Sequence, residues 1–241
     1  MTYDINIVSD AGSLPKPSVW VVIAAYNEAK MIGEVVRGVR QYESRVIVVD
    51  DCSRDATGLR ATEAGAVVLR HPINRGQGAA LRTGFAYALM QGADIVVTFD
   101  ADGQHQAHEI SSIVAPVASG EVQAALGSRF IGATESNVPA IRRLVLKAGI
   151  LFTRALSGLN ITDTHNGFRA LSRSTLSMVR LSEDRMAHAS EILHEIARNK
   201  ISYCEVPVTI RYTDYSVSRG QSSLNAVRIA TRMVVTTFFS K

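Results

Sequence analysis

Four short runs rich in Val and Ile, at Val19–Ala24, Arg45–Asp50, Ala66–Leu69 and Ile95–Asp100, alternate with stretches whose apolar residues recur at helical spacing. Strand, helix, strand repeated three times requires a parallel sheet with right-handed crossovers, because parallel neighbours cannot be joined by a tight turn. Helices are expected over 28–43, 54–64 and 76–91, the first carrying Ile32, Val35, Val36 and Val39 on one face, with a cap from the Ser53 and Asp55 region for the second. Further on, the pattern predicts a helix over 107–118, a strand over Gln123–Leu126, a basic helix over 140–157, a strand over Phe168–Leu171, a helix over 187–199 and a strand over Tyr203–Ile210. The tail from Ser222 to Phe239 reads as helical, and residues 1–17, with Pro15 and Pro17, as a loose leader. This divides the chain into a leader (1–17), one α/β domain (18–220) and a C-terminal amphipathic helix (221–241).

A sheet of this kind gathers the loops at the carboxyl ends of its strands into one ligand-binding edge. Three informative loops fall there: Ala24-Ala25-Tyr26-Asn27-Glu28, Asp50-Asp51-Cys52-Ser53 and Asp100-Ala101-Asp102-Gly103-Gln104. Asp100, Asp102 and the amide oxygen of Gln104 are hard donors suited to Mg²⁺ or Mn²⁺ carrying a diphosphate, not to zinc. Tyr26 offers a stacking surface for a base, and Asp50 or Asp51 offers acceptors for base imino or ribose hydroxyl groups; the plain alternative for the latter pair is capping of the next helix. Asn74-Arg75-Gly76-Gln77-Gly78-Ala79-Ala80 is a glycine-rich turn entering a helix, suited either to close approach of phosphate or ribose or to tight helix–sheet packing. The Walker spacing is absent, which disfavours P-loop chemistry.

Composition excludes several other classes. With only Cys52 and Cys204, and no apolar leader preceded by basic residues, the 241-residue chain reads as cytoplasmic, with free thiols. The longest weakly charged run, Leu144 to Ile161, is broken by Lys147 and Arg154, so no membrane span is expected. A net charge of +4 is modest, but Arg142, Arg143, Lys147 and Arg154 gather in one segment and Arg211, Arg219, Arg228 and Arg232 in another, which suits an anionic partner. Without an aromatic stacking pattern, that partner is not expected to be nucleic acid. Leu224, Val227, Ala230, Val234 and Phe238 recur at helical spacing beside Arg228 and Arg232, a pattern for an anionic membrane surface, for packing on the catalytic domain or for a second subunit in a homodimer. The six histidines lack zinc-ligand spacing, and Cys52 reads as structural.

Taken in order, these motifs, with Gly127-Ser128-Arg129-Phe130 and Asp163-Thr164-His165-Asn166-Gly167-Phe168-Arg169, resemble glycosyltransferase family 2, and within it the dolichyl-phosphate and polyprenyl-phosphate sugar synthases. The resemblance spans about residues 19 to 223 and implies an α/β GT-A fold, a GDP- or UDP-linked sugar donor, Mg²⁺ or Mn²⁺, and inversion at the anomeric carbon. Carried over by position, it implies that Ala24, Ala25, Tyr26, Glu28, Asp50, Asp51, Gln77, Asp100, Ala101 and Arg219 bind the donor, and that Asp100, Asp102 and Gln104 hold the metal. Arg129 and Arg143 match two arginines that hold the acceptor phosphate in the prenyl-phosphate enzymes. Asp102, Asp163, Arg129 and Arg143 are the candidates for the chemistry itself.

The chain departs from the family where Ala24 replaces a usual proline, and where Val217 and Ser223 replace an Arg and a Lys around Gly220. It lacks the Gln-x-x-Arg-Trp motif of processive polysaccharide synthases. The expectation is transfer of a sugar to polyprenyl phosphate at the inner face of the cell membrane. The alternative is a hydroxyl acceptor on a lipid-linked or soluble glycan, which needs Asp163 or Glu191 as base. A sugar-1-phosphate nucleotidyltransferase or a non-catalytic nucleotide-binding module ranks lower.

Overall fold

The computed structural model describes residues 16–132, 154, 158–184 and 188–212. The helix expected over 140–157 falls outside them except at Arg154, which is helical; the C-terminal helix, Arg143, Arg219 and all but the last two residues of the leader lie outside entirely.

Among the described residues, seven strands form one sheet in the order β3-β2-β1-β4-β6-β5-β7. They are β1 (Val19–Ala25), β2 (Val46–Asp50), β3 (Val67–Arg70), β4 (Ile95–Asp100), β5 (Ala124–Ser128), β6 (Arg169–Ser172) and β7 (Tyr203–Pro207). The first four are parallel, with Ala24 beside Val49 on one side and Asp100 on the other. Strand β6 runs antiparallel between β4 and β5, pairing Thr98 with Arg169 and Leu126 with Arg169. That reversal brings the loop entering β6, residues 163–168, to the same edge as the loops leaving β4 and β5.

Both faces are covered, which is why β1, β2 and β4 are continuous β-branched runs and do not alternate with polar residues. Val21, Ile23, Val48 and Val97 pack beneath α1 (Ile32–Arg40) and α4 (Ile110–Ala118). Val22, Ile47, Val49 and Val96 face the other way, toward α3 (Gln77–Met90), α5 (Arg173–Met178) and α6 (His188–Arg198). Helix α2 (Thr57–Glu63) lies beside α1 and β3.

Among the described residues the expected elements form with shifted ends. Helix α1 begins four residues later than the periodicity suggests, because Glu28 to Met31 make the turn out of β1, with Met31 and Ile32 donating to the Glu28 carbonyl. At α2 the cap position is Ala56, without a side-chain cap; Asp55 instead accepts from the Thr57 and Ala29 N–H groups, and Ser53 Oγ accepts from Asn27 N–H. Strand β7 stops at Pro207, after which Ile210 makes a single antiparallel bridge to His105. Helix α5 was not expected; Ser172 caps it by accepting from Thr175 N–H.

Candidate functional site

The site is built on the carboxyl edge of the sheet. Two non-glycine residues there adopt the left-handed conformation, Asn27 (φ 53°) after β1 and Cys52 (φ 64°) after β2. Such strain persists where surrounding bonds enforce it. The Asn27 side chain accepts from Arg54 N–H at 2.8 Å, and Cys52 Sγ lies 3.4 Å from the Pro72 carbonyl. Tyr26, on the same turn, is 40% exposed, so its ring is open to a ligand.

Asp50 and Asp51 end β2 buried, and they diverge in their bonding. Asp50 accepts from Ser53 N–H at 2.8 Å; its other oxygen is buried without a hydrogen bond, 3.7 Å from Arg70 Nε. Asp51 is held inside the protein: its Oδ1 lies 2.7 Å from His71 Nδ1, and its oxygens accept from the N–H groups of Arg75 at 3.0 and 3.1 Å and Gly76 at 2.6 Å. The glycine-rich turn therefore does cradle an anion, and that anion is the chain's own Asp51 carboxylate. Gly76 has φ 102° and ψ 165°, a conformation open essentially to glycine. Gln77, the next residue, reaches across to Asp100 Oδ1 at 3.3 Å.

Asp100 ends β4 in a closely fitted niche. Its Oδ2 lies 2.9 Å from His105 Nε2, and the His105 ring is wedged between Phe99 and Phe168, with centroids 5.3 and 5.1 Å away. A Cβ on Gly167 would stand 2.8 Å from Oδ2 and 2.9 Å from Oδ1 of Asp100, so only glycine fits this approach. Burial opposes the Asp100 charge, but the charge and hydrogen bond of His105, with His188 and Arg129, hold its pKa below the usual carboxylate value.

Asp102 goes the other way. Burial and then the Asp100 charge, with Glu28 adding, push it up to about 6, against the bond its carboxylate accepts from Gln104 N–H at 3.0 Å. A carboxylate whose charge is opposed by neighbouring carboxylates is a receptor for a cation, and the hard-oxygen donor set of Asp100 and Asp102 fits Mg²⁺ or Mn²⁺. Among the described residues no three carboxylate, imidazole or thiolate groups converge to hold an ion by themselves. Diphosphate oxygens and water would complete its shell. Gln104 is brought to this loop, where its N–H orients Asp102 and its carbonyl accepts from Arg211 N–H at 3.0 Å.

Beyond β5, Arg129 and Asp163 meet although they belong to separate motifs. Nε and Nη2 of Arg129 donate to Oδ2 and Oδ1 of Asp163 at 2.6 and 3.3 Å, and Arg129 Nη1 lies 2.6 Å from the Tyr212 hydroxyl. Burial alone would lower the Arg129 pKa, but Asp163 and Tyr212 outweigh it and raise it. Asp163 also accepts from the N–H groups of Arg129 and His165. The neighbouring Arg169, 2% exposed, is lowered to about 10 by burial and donates to the carbonyls of Asn166 and Thr164, shaping the 163–168 loop. His165 in that loop is lowered by burial, with Arg129 and Arg169 adding to the effect.

Glu191, the second candidate base, is placed otherwise. It binds the Ser182 hydroxyl, and the N–H groups of Ser182 and Glu183 at 2.8 and 3.0 Å, clamping the segment after α5. His71, Thr83, His105 and Tyr212 were not singled out by sequence as site residues; His105 directly follows Gln104, a signal of position, while Tyr212 carries no motif.

The parallel-dominated sheet with one reversed strand has the GT-A fold, with a carboxylate pair at and just past the end of β4. The model of glycosyl transferase family 2 matches residues 20–179, and this chain belongs to that family. It is 32% identical to the UDP-N-acetylglucosamine–dolichyl-phosphate N-acetylglucosaminyltransferase of Methanococcus voltae, over 90% of this chain and 95% of that one. Identity to the polyprenol monophosphomannose synthase of Mycolicibacterium smegmatis is also 32%, over 87% of this chain and 83% of that one. The glucosyl-3-phosphoglycerate synthase of Mycobacterium tuberculosis, crystallised with Mg²⁺ and uridine diphosphate, shares the fold with a TM-score of 0.72 at 22% identity, covering 93% of this chain and 79% of that one. Among the described residues no helix is long and apolar enough to cross a membrane.

Proposed function

We propose that this glycosyltransferase moves a sugar, with inversion, from a GDP- or UDP-linked donor to a polyprenyl phosphate, with Mg²⁺ or Mn²⁺ held by Asp100 and Asp102 beside Gln104. The observation that carries the reading is the state of Asp163. Its carboxylate is engaged by the Arg129 guanidinium and by two backbone N–H groups, and Glu191 is committed to the 182–183 segment. Neither is poised to take a proton from a hydroxyl, and a phosphate acceptor, ionised at neutral pH, needs no base. The sugar-phosphate chemistry named for the M. voltae and M. smegmatis relatives supports the same acceptor class.

In this reading Tyr26 stacks on the donor base, with Glu28, Asp50 and the Ala24-Ala25 backbone around the nucleoside. Asp51 acts through the 74–76 turn it organises, with Gln77 and Ala101 beside the diphosphate. When bound, the cation neutralises charge developing on the leaving diphosphate. Arg129, together with Arg143, orients the acceptor phosphate by charge-assisted bonds, and Asp163 keeps the Arg129 fork aimed. A peripheral contact with the cytoplasmic membrane face, through the basic segments, would present the lipid.

The test is incubation of the purified protein with Mn²⁺, a panel of UDP- and GDP-sugars and undecaprenyl phosphate, read by mass spectrometry. A lipid-phosphate sugar is expected. Transfer only to a glycan hydroxyl would overturn the acceptor assignment.

A further inference from the structure

Between β3 and α3 lies a buried polar chain outside the diphosphate loop. His71, 7% exposed, stands with Nδ1 2.7 Å from Asp51 Oδ1 and Nε2 2.9 Å from Thr83 Oγ1 on α3. An ionised carboxylate only accepts, so Nδ1 carries the proton in its bond to Asp51. The Asp51 carboxylate is in turn what the Arg75 and Gly76 N–H groups bind, and its main-chain carbonyl accepts from Asn74 Nδ2 at 3.1 Å. That turn sets the start of α3, from which Gln77 reaches Asp100. Gly76, lacking a Cβ, permits this path, and the Asp51 carboxylate receives the Arg75 and Gly76 N–H groups along it.

We infer that His71 is a positioning residue for donor binding: by fixing the Asp51 carboxylate it holds the Asn74–Gly76 turn and presents Gln77 to Asp100. The inference rests on the reading of this edge as the nucleotide-diphosphate site. A buried imidazole used only as filler would be replaceable by any side chain of similar size. One that fixes a carboxylate is replaceable only by a side chain with a donor at the Nδ1 place.

The experiment compares His71→Asn, whose amide nitrogen falls near Nδ1, with His71→Gln, whose amide nitrogen falls near Nε2, and with His71→Ala. Calorimetry with Mn²⁺ and UDP or GDP reads binding, and hydrogen exchange reads the Arg75 and Gly76 amides. His71→Gln and His71→Ala are expected to bind the preferred nucleotide about tenfold more weakly, the worth of one hydrogen bond to a charged group, with faster exchange at both amides. His71→Asn should stay within about threefold of the wild type. The Asn and Gln variants decide the question even if the Ala variant does not fold. Unchanged binding in His71→Gln, or equal loss in the Asn and Gln variants, overturns the role of His71 and leaves the donor site standing. A wild-type protein that binds neither nucleotide with Mn²⁺ overturns the donor reading, and this inference with it.

Discussion

Arg129 and Asp163, thirty-four residues apart, close a two-point ion pair inside the protein, with Nε 2.6 Å from Oδ2 and both side chains under a tenth exposed. The carboxylate that sequence offers as a base is thereby the partner of the arginine that sequence offers as an acceptor ligand. Removing one member of such a pair leaves an uncompensated buried charge, a larger loss than the pair itself is worth.

Asp163→Asn is therefore expected to destabilise the protein by about 3 kcal/mol, measured by urea unfolding. If Asp163 were instead a lightly held base, stability would stay within about 0.5 kcal/mol of the wild type, as for ordinary exposed substitutions, and only turnover would fall.

The raised pKa of Asp102 fixes a pH dependence. Its folded value of about 6 lies above that of an ordinary aspartate, so the folded protein prefers the protonated form, and stability from this group is lost as pH rises from about 4 through 6. Asp102→Asn should stabilise the metal-free protein at pH 8 by about 1–2 kcal/mol, discounted for partial exposure, and have little effect at pH 4. Cation binding has the opposite slope, because the ion competes with the proton. Mn²⁺ affinity measured with UDP present should fall about tenfold between pH 7 and pH 5. A flat profile would separate Asp102 from the metal.

Gly167→Ala tests the fit around Asp100. The new methyl group would meet both carboxylate oxygens below 3.0 Å, and Asp100 is already held by His105 through Oδ2. Overpacking of this kind costs about 1–3 kcal/mol and here displaces a proposed metal ligand. Thermal melts and Mn²⁺ titration should both show a loss; a melt unchanged to within a degree would mean that the loop shifts freely.

Much of this architecture was legible from sequence because it depends on local pattern. The runs Val19–Ala24 and Ile95–Asp100 are β-branched and bounded by polar loops, so their strands and shared edge follow from topology alone. Helix α5 was not legible, since six residues give too little periodicity to stand out. The bonding within the site was hidden for a different reason. Asp51 meets His71 twenty positions on and Gly76 twenty-five positions on, and which acceptor the glycine-rich turn faces is a tertiary fact. The glycine-rich turn suits either phosphate or ribose approach or tight helix–sheet packing by its residues alone; in the fold its Arg75 and Gly76 N–H groups meet the Asp51 carboxylate. The Arg129–Asp163 pair likewise joins β5 to the loop entering the reversed strand β6, and motif order carries no sign that the two ends meet.

Arg129→Ala separates the two substrates. Arg129 is held by Asp163 and Tyr212 beyond β5, whereas the proposed donor contacts lie on the loops after β1, β2 and β4. Its charge is still felt at Asp100, so a small effect on the metal and donor is expected. Loss of a charge-assisted contact to phosphate should raise the KM for undecaprenyl phosphate by about tenfold or more, with the Kd for the nucleotide changed by about threefold or less. Arg129→Lys should recover little, because a point charge cannot reproduce the two-point fork to Asp163 and the third bond to Tyr212. The truncation also leaves Asp163 buried without its partner, so both constants must be compared at a temperature where circular dichroism shows the variant folded. An equal loss of acceptor and donor binding under those conditions would assign Arg129 to the integrity of the 163–168 loop and remove it from acceptor recognition.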